Sequence, residues 1–263
     1  MPEDFERQPE RDDLCALTVP VPLLKETPNL MPILRLARRG AVFSESAEDL
    51  KQLRIQFKRD SYIRLPELFE PELLNFIQLQ IDRGRFYERV HEGIKSNKEL
   101  CMTGNTAFGA LLFLMNDEKL FQIIQGVTQC DRIRCFEGRV YRMIPGQGHH
   151  DSWHDDIGAD RLVGVSINLS KEPYTGGILQ IRDRKSAQII SEVTNVGIGD
   201  AVVFRLSPCL QHRITAVTGN ACKTAFAGWF RARPNFPALL KQGFDSGRED
   251  AGDEISRAVL AGQ

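Results

Sequence analysis

The hydrophobic rhythm of the chain changes once, near residue 130. Ahead of that point apolar positions recur every three or four residues. In "PELLNFIQLQID" (71–82), Leu73, Leu74, Ile77 and Ile81 share one stripe, with Pro71 at the start and Gly84 as a stop, which predicts a helix. "NDEKLFQIIQGVT" (116–128) predicts a second helix, and "NLMPILRLARRG" (29–40), closing on Gly40, a short one. "YIRLPEL", just before Pro71, reads as a short strand. Residues 51–130 are therefore expected to be mainly helical support, behind an N-terminal extension (1–50) that is partly disordered or helical.

Beyond residue 130 the runs are short and rich in β-branched and aromatic residues. They are "RIRCFEGRVYRMI", "RLVGVSINLS", "GGILQIRDR", "AQIISEV", "DAVVFRL", "HRITAV" and "CKTAFAGWFRAR", separated by Gly, Pro, Asn and Asp. Such spacing without intervening helices predicts an antiparallel sandwich or barrel over 131–233. Residues 241–263 read as a polar, solvated tail. No internal repeat or low-complexity segment is visible.

Composition narrows the function classes. Lys and Arg total 34 against 35 for Asp and Glu, so the broad basic footprint of a nucleic-acid binder is missing and no nucleic-acid partner is expected. No run reaches the ~18 consecutive apolar residues of a membrane helix, and "MPEDFERQPERDD" is too acidic for a signal peptide. The expectation is a soluble, cytoplasmic protein without a membrane partner. Six cysteines lack paired spacing in a chain of 263 residues, which predicts reduced thiols. No pattern specifies an oligomeric state.

Chemistry concentrates in "GQGHHDSWHDDIGAD" (146–160), which holds three of the five histidines. If this stretch is a strand, residues i and i+2 project from one face, so His154 and Asp156 point inward together while Asp155 points away. Outside the stretch only His91 and His212 are available as a third ligand, and His212 in "SPCLQHRITAV" is the natural choice. Two imidazoles and one carboxylate on one side of a metal leave three positions open, the arrangement associated with non-haem Fe(II) oxygenases. His149-x-Asp151 is a rival pair on spacing alone, but its place directly after "PGQG" reads as loop.

From about Arg139 to Arg231 the chain resembles the 2-oxoglutarate/Fe(II)-dependent oxygenases, in particular the prolyl-4-hydroxylase-like and phytanoyl-hydroxylase-like branches. The features that carry the resemblance occur in order: Tyr141 and Gly146, His154-x-Asp156, "GVSINLS", Gly176-Gly177-x-Leu179, "GDAVVF" (199–204), His212, and a basic residue, Lys223, in "VTGNACKTAFAGWF". The resemblance implies a mainly β fold with supporting helices, a double-stranded β-helix or cupin-like jelly roll. It also implies Fe(II) on His154, Asp156 and His212, with 2-oxoglutarate and O2 as cosubstrates and ascorbate as a further candidate. Lys223 would hold the far carboxylate of 2-oxoglutarate, with Tyr141 as a hydroxyl partner. The serine common two places after the basic residue is Ala225 here, which leaves the second anchor open; were Lys223 exposed, Arg231 would be the substitute. Relatives that halogenate lack the carboxylate ligand, so Asp156 points to hydroxylation or desaturation.

The implied activity is hydroxylation of an unactivated C–H in an amino-acid side chain, free or within a peptide or protein, or in a small metabolite, with release of succinate and CO2. Two alternatives stand beside it: a non-catalytic ligand-binding or regulatory jelly roll, and a cupin-like metalloenzyme that uses no 2-oxoglutarate. Several residues also have plainer readings. Cys209 is expected to be a buried thiol, Trp229 and Phe230 core, and Tyr141 and Trp153 core or pocket wall.

Overall fold

A computed structural model describes residues 33–43, 47–90, 98–158, 160–194 and 197–234. The residues up to 32, His91 and the tail 241–263 lie outside the described residues. In chain order, the hairpin β1 (Leu34–Ala37) and β2 (Gly40–Phe43) precedes α1 (Ala47–Asp60), β3 (Tyr62–Leu65) and α2 (Pro71–Asp82). Next come β4 (Phe86–Val90), β5 (Lys98–Met102), α3 (Thr106–Met115), α4 (Glu118–Thr128) and β6 (Cys135–Met143). The remainder is strands: β7 (Arg161–Asn168), β8 (Thr175–Gly176), β9 (Leu179–Asp183), β10 (Ile189–Val193), β11 (Ala201–Arg205), β12 (Leu210–Ile214), β13 (Val217–Thr218) and β14 (Lys223–Arg231).

The strands form a jelly roll. A seven-stranded sheet in the order β3-β11-β7-β14-β6-β5-β4 faces a three-stranded sheet, β10-β9-β12, with β8 and β13 as a small ribbon. β14 is the spine of the large sheet, pairing with β6 from Lys223↔Met143 to Arg231↔Cys135 and with β7 along its other edge. Its alternation sends side chains to two different interiors. Phe226 and Phe230 pack against the helical layer with Phe136, whose ring lies 5.5 and 5.2 Å from theirs. Ala225 and Ala227 face the space between the sheets, with Tyr141, Met143, Leu179 and Ile214.

The helices follow their sequence signals. α2 starts on Pro71 and buries Leu73, Ile77 and Ile81. Asp117 caps α4 by accepting from Lys119 N and Leu120 N through Oδ1, while Oδ2 accepts from Ala41 N and ties the β1–β2 hairpin to that helix end.

Two expectations are corrected. The described part of the stretch read as a helix over 29–40 is a β-hairpin: Leu34, Leu36 and Ala41 enter the main core by strand alternation, and Gly40 sits at φ +114°, serving a turn. Within the zone read as mostly helical, β4 and β5 form a hairpin that extends the large sheet past β6. Its pattern, "FYERV" and "KELCM", lacks a run of β-branched residues long enough to signal strands.

Phe226 is fully buried at the centre of the aromatic cluster. Phe226→Ala is expected to lower the unfolding free energy by about 3–5 kcal/mol, measured by denaturant titration.

Candidate metal centre

The segment after the glycine turn runs beside β12 as an extra edge. Asp151 N donates to Ile214 O at 2.9 Å, and His154 and His212 exchange both backbone hydrogen bonds, at 3.0 and 2.8 Å. This pairing places their imidazoles 4.2 Å apart between ring centroids. Asp156 then takes a left-handed conformation, φ +56°, one that Asp tolerates better than most residues. Its Oδ2 comes to 3.4 Å from His154 Nε2 and 3.3 Å from His212 Nε2. The strand reading of "WHDD" is thus corrected: convergence comes from one bridge residue followed by a turn, with no continuous strand through Asp156.

One ligand atom from each of His154, Asp156 and His212 lies within 4.8 Å of the others. Neighbouring ligands on a metal with ~2.0–2.2 Å bonds stand about 3 Å apart, so only small shifts separate this set from coordination. Two neutral imidazoles and one carboxylate suit a divalent iron.

Other side chains hold the triad. His154 Nδ1 lies 2.6 Å from Ser152 O, leaving Nε2 toward the centre. His212 is buried, with the Phe204 ring 4.8 Å away. Gly164, opposite Phe204 in the sheet, makes room for that ring: a Cβ there would sit 2.3 Å from it. On Asp156, Trp229 Nε1 donates to Oδ2 at 2.9 Å and Arg161 Nη1 to Oδ1 at 3.2 Å. The Arg161 guanidinium stacks 3.6 Å from the Trp229 ring centroid.

The local charges shape the titration. Burial works to neutralise Asp156, but hydrogen bonds to His154 and His212 outweigh it and keep the carboxylate well below its usual range. Burial likewise opposes charge on His154, yet Asp156 and Asp151 raise it to about 9. His212, more deeply buried, is lowered.

A cavity of about 260 Å³ opens on the triad between the two sheets. Tyr141 lines it from β6, a buried phenol whose pKa burial pushes upward. Lys223 is buried too, two pairs along the strand from Tyr141, and donates Nζ to Gly177 O at 2.8 Å without itself lining the cavity. Gly177 permits this path, since a Cβ there would meet Lys223 Cδ at 2.9 Å. Arg231 is buried at the far end of β14 in an ion pair with Glu137 and does not line the cavity.

Other sequence readings fare unevenly. His149 is buried, its Nδ1 accepting from Ile144 N, so the rival pair supplies a turn brace; Asp151 faces His154 at 3.5 Å. Trp229, expected as core, is a cavity residue bonded to Asp156. Cys209, expected buried, is exposed on the turn into β12. The Trp153 ring lies against the guanidiniums of Arg182 and Arg213, at 4.2 and 4.5 Å. The five described cysteines are all free thiols. Arg139, Arg161 and Glu99 were not anticipated, because isolated charged residues in strands carry no motif and their meeting depends on sheet order.

Burial pushes Lys223 down to about 8 from 10.5, opposed by the charge of Asp151. Between those pH values the unfolded chain holds the extra proton, so this group makes stability rise with pH across that window, its penalty being fully present below about 8. Chemical denaturation from pH 7 to 10.5 should show that rise relative to Lys223→Met, and Lys223→Met should be the more stable protein at pH 7.

Comparison with known proteins agrees with this site. Residues 138–231 match the family model described as the 2OG-Fe(II) oxygenase superfamily, bearing out the resemblance over that segment. The fold resembles a 2OG-Fe(II) oxygenase family oxidoreductase from Burkholderia pseudomallei (TM-score 0.51, 15% identity, 76% of this chain and 96% of that one). It also resembles a Pseudomonas putida prolyl-4-hydroxylase (0.52, 17%, 70% and 100%) and a Trichoplax adhaerens prolyl hydroxylase solved with a hypoxia inducible factor peptide fragment (0.50, 15%, 72% and 94%). A curated relative, the sulfur carrier protein FdhD of Sulfolobus acidocaldarius, is 26% identical over 137 residues, 47% of this chain and 53% of that protein. The chain therefore spans about half the length of that relative. The matched segment is similar to that superfamily, whose members use Fe(II), 2-oxoglutarate and O2, and the donor set of the triad suits the iron.

Proposed function

We propose that the chain is a 2-oxoglutarate-dependent dioxygenase that hydroxylates an unactivated C–H of an amino-acid side chain, free or in a peptide or protein, or of a small metabolite. The observation that carries this reading is the convergence of His154, Asp156 and His212 at the wall of a cavity that Tyr141 also lines, with the buried Lys223 behind that wall, two pairs along the strand from Tyr141. Bound Fe(II) with 2-oxoglutarate would supply the oxidising chemistry, consuming O2 and releasing succinate and CO2.

The protein's part is positioning and exclusion of water. His154, Asp156 and His212 would hold the metal on one side only. Trp229 and Arg161 engage both carboxylate oxygens of Asp156, which favours a single oxygen turned to the metal. Lys223 would leave Gly177 O for the far carboxylate of 2-oxoglutarate, with the Tyr141 hydroxyl as second donor; kept neutral by burial, that phenol donates a hydrogen bond without adding charge. Arg231, already paired with Glu137, has no part in this assignment. The oxygenase domain is proposed to span residues 51–240, with the packed core also taking in β1 and β2.

Burial raises the thiols of Cys101, Cys130 and Cys135, the reverse of the depressed thiolate that sulfur transfer needs, so these three do not favour a sulfur-carrier role. A purely binding jelly roll has no need of all four groups, the triad and Lys223 together. A cupin-like enzyme without 2-oxoglutarate would be indifferent to Lys223→Ala.

Anaerobic addition of Fe(II) and 2-oxoglutarate should produce a weak visible charge-transfer band, and air should then yield succinate. His212→Ala should abolish both, and a parent protein that shows neither would overturn the assignment. Trp229→Phe keeps the ring and removes the donor to Asp156; it should weaken Co(II) binding about 10- to 100-fold in a direct titration.

A further inference from the structure

The cavity wall carries more charge than the metal and 2-oxoglutarate use. Arg139, Glu99 and Arg89 line it alongside the triad, from β6, β5 and β4. Glu99 is buried and accepts from Arg139 Nε at 2.6 Å and Nη2 at 3.4 Å, which fixes the guanidinium along one edge. Its carbon lies 5.8 Å from the ring centroids of both Tyr141 and Trp229. No described residue accepts from Arg139 Nη1. Burial works against this cation, but the charge and hydrogen bond of Glu99 more than offset it. Arg89 is exposed on β4 and makes no ion pair among the described residues.

An ion pair taken out of water costs several kcal/mol per ion before attraction returns it, so it is a poor way merely to fill a wall. Charge balance indicates a use. Arg89, Arg139 and Arg161 line the cavity with three carboxylates, Glu99, Asp151 and Asp156, and Lys223, buried behind the wall, adds a fourth cation. A divalent metal and a dianionic cosubstrate would cancel each other. One positive charge is left in this count, and among the described residues Arg89 is the lining cation without an ion pair, while Arg139 is paired with Glu99 and Arg161 with Asp156. The volume of about 260 Å³ lies below the ~300–1,000 Å³ common for pockets that enclose a drug-sized ligand, so little beyond a side-chain-sized group enters with the cosubstrate.

We propose that Arg139, braced by Glu99 and assisted by Arg89, receives a carboxylate of the substrate. The substrate is then a carboxylic acid, either a small free acid such as an amino acid or an acidic side chain of a polypeptide. The guanidinium's planar fork suits this role, because one edge is held by Glu99 while another remains to meet a second carboxylate. This inference rests on the oxygenase reading of the same cavity.

The test uses free amino acids, their carboxamides, and terminally blocked peptides with internal Asp or Glu. Saturation-transfer NMR on chelator-treated protein reads binding without turnover, and succinate release reads coupling. Acids are expected to bind and to stimulate succinate formation, whereas carboxamides do neither. Response to the free acids alone identifies a small-molecule substrate, and response to the blocked peptides an acidic side chain. Arg139→Lys, which leaves Glu99 a cationic partner, and the surface change Arg89→Ala should each weaken acid binding about tenfold. In turnover, Arg139→Lys should raise the KM of the acid and not that of 2-oxoglutarate. Equal binding of acids and carboxamides, unchanged acid binding in both variants, or a rise confined to the 2-oxoglutarate KM would each overturn the proposal. Acids that bind through Arg139 without any succinate formation would uphold the carboxylate site and sink the oxygenase reading instead.

Discussion

The backbone exchange between His154 and His212 is the contact on which the site depends. Two hydrogen bonds join a loop that leaves the large sheet to the last strand of the small one, and so bring together ligands 58 positions apart in the chain. Without that bridge, a buried imidazole, a half-buried one and a half-buried carboxylate would have no reason to share a space, since each costs desolvation on its own. With it, Asp156 needs only one left-handed residue to turn its carboxylate onto both rings.

The large sheet supplies the rigidity behind the bridge by keeping its two faces chemically distinct. On the helical side, Phe136, Phe226 and Phe230 interlock with α3 and α4 in a mainly apolar layer. On the inner side the same strands carry Ala225, Ala227, Tyr141 and Arg139, small or polar residues that leave a space and line it. One strand therefore serves both stability and site. This explains why Trp229, one residue before the core residue Phe230, belongs to the cavity.

Buried charge is handled in pairs throughout this interior. Arg139 meets Glu99, Arg231 meets Glu137, and Arg161 meets Asp156 while lying against Trp229. The first two pairs cross between neighbouring strands and the third ties β7 to the loop before it, so each also fixes side-chain direction where the cavity needs a set shape. Lys223 is the exception: its Nζ donates to a carbonyl oxygen near the Tyr174 ring, and burial lowers its pKa against the charge of Asp151. A cation held so lightly is suited to exchange its carbonyl for an anion.

Local pattern alone was enough for the β-rich half and for α2 and α4, while the triad needed scarce histidines together with the ordered motifs of the family resemblance. Strand alternation and helix punctuation are short-range signals, and with few imidazoles in the chain His212 was the natural third ligand. Tertiary structure decided the rest. The hairpin at 34–43 was misread because a short apolar run fits both periods, and only packing onto the core selects between them. The β4–β5 hairpin became strand by adding to an existing sheet edge, a gain that its own residues do not advertise. The partnerships Arg139–Glu99 and Trp229–Asp156 span 40 and 73 positions, distances at which sequence carries no rule. They exist because the sheet order β14-β6-β5 and the turn at Asp156 bring those side chains into one cavity.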